Sequence, residues 1–495
     1  MKLYITGDVN EYYVQTLCMI FFPGEKFSGE EEEGAPVLHL ATEESETGVT
    51  ARAHLTYRGK ESHADRYVEW RTEDSKDRIR KIAIGYVVLG AAGEIMHYRP
   101  SWGMLTGVRP SKVAMELLLK GYSKSQTRKL LSSNYMVLPK KASLAIDVAL
   151  REQALIGTPD PRDCSVYISI PFCPTRCSYC SFVSYTSKRL LSLIPDYLTL
   201  LCEEVRRKFA TIRELGLRVL TVYIGGGTPT ILTAEQLRTL LSTVSECTDV
   251  SALREFTLES GRPDTIDADK MAVAAAYGVT RVCVNPQTLC EEVLRGVGRC
   301  HSVEEFYRSY DIARRSGIHS INTDLIVGLP GDDFGAFSNT FDEIMKLAPE
   351  NVTVHTFCVK KAAEILREGK RVYNLRGGDA GKCVDYSQIR AMEEGYVPYY
   401  MYRQKNMVGN YENVGFAKEG EECLYNIYMM EEVHSIFAAG AGAVTKLVDY
   451  AAPDSGKKHV IRRLFNPKYP YEYLESDGGE AHARAITEFY RELGI

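Results

Sequence analysis

Between residues 165 and 357, strand-like runs alternate with helical ones six times, and few folds accept that order. The runs with strand character are Ser165–Ile170, Val219–Ile224, Phe256–Glu259, Arg281–Asn285, Ile321–Val327 and Val352–Phe357. Helical periodicity occupies Tyr197–Leu215, Ala234–Val244, Ala268–Tyr277, Leu289–Val297 with Val303–Arg315, and Phe337–Lys346. Connections of this length return the chain to the same edge and imply parallel strands. Right-handed crossovers repeated six times keep adding strands on one side, which predicts an α/β chain with a partial parallel (β/α)6 barrel.

The chain has 495 residues, enough for about three domains. A small α+β domain is expected over 1–160, the barrel over 161–370, and an α+β extension on the substrate side over 371–495. The first part carries an acidic loop at Ser28–Gly34, alternation in Ala51–Tyr57, and helical runs at Ser111–Lys120 and Ala142–Ala154. Gly157-Thr-Pro-Asp-Pro161 breaks the chain before the barrel. The last part is marked by Gly377-Gly378, by Tyr396, Tyr399, Tyr400 and Tyr402, by the small-residue run Ala438–Gly442, and by a helical Glu480–Leu493.

A net charge of −5 argues against a protein that coats nucleic acid. The start, Met1-Lys2-Leu3-Tyr4-Ile5 followed by Asp8 and Glu11, does not read as a secretory leader. No window approaches ~18 uninterrupted apolar residues, so no membrane span is expected. A cytoplasmic location follows as the expectation, and with it reduced thiols.

Thirteen cysteines are present, and three stand together in Cys173-Pro-Thr-Arg-Cys177-Ser-Tyr-Cys180, directly after the first barrel strand. Such a loop can wrap three thiolates around one centre and leave a fourth position open. A structural zinc site closes its tetrahedron with four protein ligands, and this loop has no fourth. Iron–sulfur clusters are also held by thiolates. Other polar residues gather at the following strand ends: Gly225-Gly-Gly-Thr-Pro-Thr230, Glu259, Asn285-Pro-Gln287, Asp324 and His355. The carboxyl end of a parallel barrel is where active sites are built.

The cysteine loop, Gly225-Gly-Gly-Thr-Pro-Thr230 and Asp324-Leu-Ile-Val-Gly-Leu-Pro330 together resemble the radical S-adenosylmethionine (SAM) enzymes. More narrowly, Tyr167-Ile-Ser-Ile-Pro-Phe-Cys173 resembles the oxygen-independent coproporphyrinogen III oxidase family. Glu259-Ser-Gly-Arg-Pro-Asp-Thr-Ile266 and Tyr402-Arg-Gln-Lys-Asn-Met-Val-Gly-Asn410 resemble its HemZ-type branch. The resemblance implies a radical SAM barrel in which Cys173, Cys177 and Cys180 hold a [4Fe–4S] cluster whose fourth iron binds SAM. It implies SAM contacts at Tyr167, Gly226, Glu259, Gln287, Arg299 and Asp324, and contacts to a second SAM at Tyr179, Gly227 and Thr228.

The activity implied is oxidative decarboxylation of coproporphyrinogen III propionates to vinyl groups, giving protoporphyrinogen IX in heme synthesis. An electron donor such as flavodoxin or ferredoxin would serve the cluster. By type and position, Arg262, Arg403 and Lys405 are candidates to pair with substrate propionates. Two positions depart from well-characterised oxidases: Phe182 stands where they carry a further cysteine, and Ser169 where many members have histidine. Members without that cysteine include heme chaperones. A heme-binding chaperone, or another radical SAM reaction on a tetrapyrrole, is the alternative.

Overall fold

The structure is a computed structural model that describes residues 1–27, 29–107, 109–358, 378–404, 407–451 and 459–495. Ser28, Gly377 and Lys405, each singled out in the sequence, lie outside the described residues. The chain folds into two compact units where the sequence suggests three parts. One comprises Met1–Leu150, Arg371–Val384 and Met401–Asn413; the other comprises Arg151–Lys370, Asp385–Tyr400 and Val414–Ile495.

The first unit contains a four-stranded sheet of β1 (Lys2–Thr6), β2 (Val37–Glu44), β3 (Gly48–Tyr57) and β4 (Lys60–Glu69), in that spatial order. β1 runs parallel to β2 and the rest are antiparallel. Alternation decides its two faces. Leu38, Leu40, Val49, Ala51, Ala53 and Leu55 are buried, and the sheet packs on helix Lys76–Met96. That helix buries Ile79, Ile82, Ala83, Val87 and Ile95, and Ser75 caps it by accepting from Arg78 N.

The six expected barrel strands are present: β5 (Asp163–Ile170), β6 (Arg218–Gly226), β7 (Glu255–Leu258), β8 (Arg281–Cys283), β9 (Ser320–Val327) and β10 (Asn351–Thr356). They lie side by side in chain order and every pair is parallel. Glu259 and Asn285 therefore fall just beyond their strands. Helix Phe334–Lys346 begins one turn earlier than its apolar period suggests, because Asp333 caps it by accepting from Ala336 N.

The sheet does not stop at six strands. β13 (Ser435–Ala439) lies parallel beside β5, and β14 (Val444–Asp449) and β15 (Val460–Phe465) continue antiparallel. At the other edge β12 (Asn413–Ala417) is antiparallel to β10, with β11 (Val397–Tyr402) outermost, so among the described residues the sheet has eleven strands. The tail of the chain thus extends the barrel sheet and does not fold apart from it. β13 escaped the sequence reading because Ser-Ile-Phe-Ala-Ala is short and ends in alanines with little strand preference.

Barrel strands are buried on both faces, as parallel strands covered by helices must be. In β5, β9 and β10 only one residue each is partly open: Tyr167, Asp324 and His355. All three lie in the carboxyl-terminal part of their strands, which is where the barrel interior opens.

Candidate active site

The cysteine loop leaves β5 through a turn pinned at several backbone points. Cys173 N donates to Tyr185 O at 3.1 Å, and Thr228 N donates to Phe172 O at 2.8 Å. Gly227 N donates to Ile170 O at 2.8 Å. A Cβ on Gly227 would sit 2.5 Å from Phe172 O, so only glycine lets the turn after β6 lie this close to the loop. Farther along, Ser178 N donates to Val297 O and Cys180 N to Cys177 O, each at 3.0 Å.

All three thiols are free; Cys173 and Cys177 are buried and Cys180 is half-buried. Three thiols on one loop without a fourth protein ligand on it suit an iron–sulfur cluster, which thiolates hold. Burial pushes the Cys180 thiol up to about 11. Burial also raises Cys173, against the opposing pull of its hydrogen bond with Thr228 and of the Arg262 charge. Bound metal would reverse both shifts, since thiolate is the ligating form.

Arg262 lies beneath this loop. Its guanidinium bonds the Asp264 carboxylate at 2.8 and 3.0 Å, and Thr175 through both the carbonyl (3.1 Å) and the hydroxyl (2.9 Å). It also approaches Cys177 Sγ at 3.9 Å. Thr228 Oγ1 is 3.2 Å from Cys173 Sγ. Thr175 and Asp264 were not singled out by the sequence reading. An arginine two residues before an aspartate, across a proline, was the available signal.

A second set of residues faces the loop from the ends of β6 to β9. Glu259 N donates to Ile224 O at 2.9 Å, and its side-chain oxygen would stand 2.6 Å from a Cβ on Gly225. Burial, with the nearby Asp324 charge adding to it, pushes the Glu259 carboxyl up to about 8. Asn285, placed at a strand end by the sequence but without a partner there, orients Asp324: its side-chain amide donates to Oδ2 at 2.9 Å and its Oδ1 accepts from Asp324 N at 3.1 Å. His355 Nε2 lies 3.7 Å from the same carboxylate.

Gln287 adopts φ 68°, in the left-handed region, and is tied to β9 on both sides. Its N–H donates to Asp324 O at 3.1 Å and its carbonyl accepts from Ile326 N at 3.0 Å. Its side-chain Oε1 is buried without a hydrogen bond. Arg299 donates to Gly261 O at 2.9 Å, to Asn285 O, and to Tyr179 OH at 3.4 Å. Burial raises Tyr179, with Arg299 opposing. Tyr167, Tyr223 and Tyr425 form a ring stack with centroids 4.6–6.1 Å apart.

The cysteines, the glycine turn, Tyr167, Glu259, Gln287, Arg299 and Asp324 therefore belong to one end of one sheet. The propionate candidates have other engagements. Arg262 is committed to the cysteine loop. Arg403 is buried in the first unit, donating to Leu105 O and to Asn410 O (3.1 Å) and lying 5.6 Å over the Trp102 ring. A propionate at either residue would have to displace these bonds. Lys405 is outside the described residues. Among the described residues no helix is long and apolar enough to cross a membrane.

The site's residues suit a cluster and an amino-acid-bearing cofactor: three free thiols around one loop, a glycine cradle that a Cβ would fill, and an orphaned buried acceptor on Gln287. The sequence profile of the radical SAM superfamily matches residues 167–344. HemZ of Bacillus subtilis, described as an oxygen-independent coproporphyrinogen-III oxidase-like protein, is 37% identical over 470 residues, 93% of this chain and 92% of its own. The heme chaperone HemW of the same organism is 30% identical over 62% of this chain and 77% of its own. A solved structure of Escherichia coli coproporphyrinogen III oxidase, HemN, aligns at 22% identity over 60% of this chain and 67% of that one, with a TM-score of 0.46. On the extent of the HemZ match and the superfamily profile, the chain belongs to the HemN-like family of radical SAM proteins, which use a [4Fe–4S] cluster and SAM.

Proposed function

We propose that this chain oxidatively decarboxylates coproporphyrinogen III propionates to vinyl groups, giving protoporphyrinogen IX. The observation that carries the reading is the HemZ match, which runs through both units and is not confined to the barrel. Each of the two propionates converted would lose CO2, one hydrogen atom and one electron, and the other two propionates are kept. The hydrogen goes to a cofactor-derived radical and the electron to a one-electron acceptor.

Cys173, Cys177 and Cys180 would hold the cluster, which together with SAM supplies a carbon radical able to take a hydrogen atom from an unactivated carbon. The chain's own residues bind, orient and exclude water. Arg262 and Thr228 fix the cysteine loop. Glu259, half-buried with its carboxyl pushed up to about 8, and Asp324, oriented by Asn285, would receive the polar groups of SAM along with Tyr167, Gly226 and Arg299. Gln287 Oε1 offers an unfilled acceptor to a ligand donor. A second SAM at Tyr179, Gly227 and Thr228 would have to share Thr228 with Cys173 and Tyr179 with Arg299. A cytoplasmic location and a flavodoxin- or ferredoxin-type donor belong to the same proposal.

The test is anaerobic turnover of coproporphyrinogen III with SAM and a reductant, with products read by mass. Mono- and divinyl products in step with SAM cleavage are expected. Cleavage of SAM with every carboxyl retained would overturn the proposal. A second reading, heme delivery, is favoured by the HemW match and by Phe182, which is 69% exposed where the oxidases carry a cysteine. Stoichiometric heme capture, with SAM cleavage indifferent to coproporphyrinogen, would select that reading.

A further inference from the structure

The sheet of the first unit carries a row of rings that nothing in the barrel chemistry uses. The pairing registers set Tyr4 opposite His39, His39 opposite His54, and His54 opposite His63, one residue from each of the four strands. The rings stack along that line: Tyr4 on His39 at 4.6 Å, His39 and His54 at 6.0 Å, and His54 on His63 at 4.0 Å with planes 3° apart. Since Ala53 and Leu55 point into the helix-covered face, His54 must point away from it.

We propose that His54, His63 and Glu61 form a binding site for one divalent transition-metal ion of the zinc type on this outer face. The three ligand atoms already lie within 4.8 Å of one another. Bonds of ~2.0–2.2 Å to zinc would place them about 3.3 Å apart, which the exposed Glu61 and His63 reach by turning toward the half-buried His54, the His63 ring leaving its parallel stack so that both imidazoles aim at one ion. Glu61 and His63 are two residues apart on β4 and share a face, and His54 Nε2 lies 3.4 Å from Glu61 Oε2 without forming a hydrogen bond.

The backbone behind the ligands is fixed. β3 and β4 are joined by the two residues Arg58 and Gly59, with φ of 50° and 73°. Two positive φ values mark the tight primed turn that sets hairpin register, and a slip of one residue would send His63 to the other face. Two imidazoles and one carboxylate form a borderline donor set that suits zinc, copper or nickel better than calcium or magnesium. Three protein ligands leave the fourth position to water. The proposal does not rest on the radical SAM reading, since none of its residues belongs to the barrel.

Co2+ titration of the full chain, with its cluster reconstituted and excess metal removed, tests the site. Visible absorption separates nitrogen and oxygen ligation from thiolate ligation, which adds an intense sulfur-to-cobalt band. The expected result is one equivalent of Co2+ with a nitrogen/oxygen spectrum, displaced by Zn2+. It should be absent in His54→Ala and His63→Ala, and roughly 10–100-fold weaker in Glu61→Gln. Iron content and far-UV circular dichroism should match wild type in all three variants, which separates loss of the site from loss of the fold. No such equivalent in the wild type, or one that persists unchanged in both histidine variants, overturns the proposal.

Discussion

The two sheets of this protein use the same alphabet of polar residues in opposite ways. In the four-stranded sheet, titratable groups stand on the outer face: His39, Arg52, Glu61 and His63 are exposed to water there, beside the half-buried His54. At the carboxyl end of the barrel sheet, Gln287 and Arg299 are buried, and Glu259 and Asp324 are half-buried. An outward polar residue costs nothing when it has no partner. An inward one must be bonded, must shift its protonation, or must await a ligand. Asn285 with Asp324 shows the first outcome, Glu259 the second, and the orphaned Oε1 of Gln287 the third.

The largest expected effect tests whether the barrel's inward groups are there for a ligand. Cys177→Ala removes one of three thiolates from a loop that offers no fourth. After anaerobic reconstitution, iron content and SAM cleavage should both fall to background. A full complement of iron in this variant would break the assignment of the loop as the cluster ligand set.

The next tests the other side of the comparison, because the first unit also contains one inward charge cluster. Glu412 is fully buried and accepts from Lys141 Nζ at 2.6 Å and from Trp102 Nε1 at 2.7 Å. Its charge also supports the buried Arg403, whose guanidinium burial brings down to about 10. Glu412→Ala would take a carboxylate away from two buried cations. Breaking a buried pair from one side costs about 3–5 kcal/mol, so a loss of that order is expected in denaturant unfolding monitored by the fluorescence of Trp70 and Trp102. The change should leave reconstituted iron content untouched. A loss below about 1 kcal/mol would mean that water reaches the cluster.

The barrel was legible in the sequence because its strands are short, apolar and separated by helices with clear period. Helix Val303–Arg315 was expected with those bounds and has them, fixed by the Ser302–Glu305 capping box. The cysteine loop was legible because three thiols in eight residues have little use in packing. What escaped were partners, not positions. That Arg262 supports Thr175 depends on a contact 87 residues apart, and Asn285 reaches Asp324 across 39. Such separations leave no local pattern, whereas a helix cap does. The same holds for Arg403, whose residue type suited a propionate and whose burial against Trp102 could only be seen in three dimensions. β13 was missed for a different reason: its sheet neighbour, β5, lies far back in the chain, so pairing and not propensity makes it a strand.

The smallest expected effect refines the contrast within the barrel itself, since it asks what an inward carboxyl does before a ligand arrives. Glu259 keeps its proton to about pH 8 in the folded chain, while an unfolded glutamate releases it near 4.5. Between those values the unfolded state binds fewer protons, so stability must fall as pH rises, by no more than about 1.4 kcal/mol per pH unit. Below the window both states are protonated, and above it both are ionised, so the slope vanishes at either end. The groups facing Glu259 do not supply this slope. Burial raises Tyr167, Tyr223 and Cys283, which stay neutral throughout the window, and Asp324 is present in both proteins compared. Glu259→Gln keeps the shape and removes the proton. The variant's advantage in urea midpoint over wild type, measured on the cluster-free chain, should therefore widen from pH 5 to pH 8 and then level. Parallel midpoints across that range would show that Glu259 is ionised in the folded chain, and that the barrel holds an inward charge without a ligand to pair it.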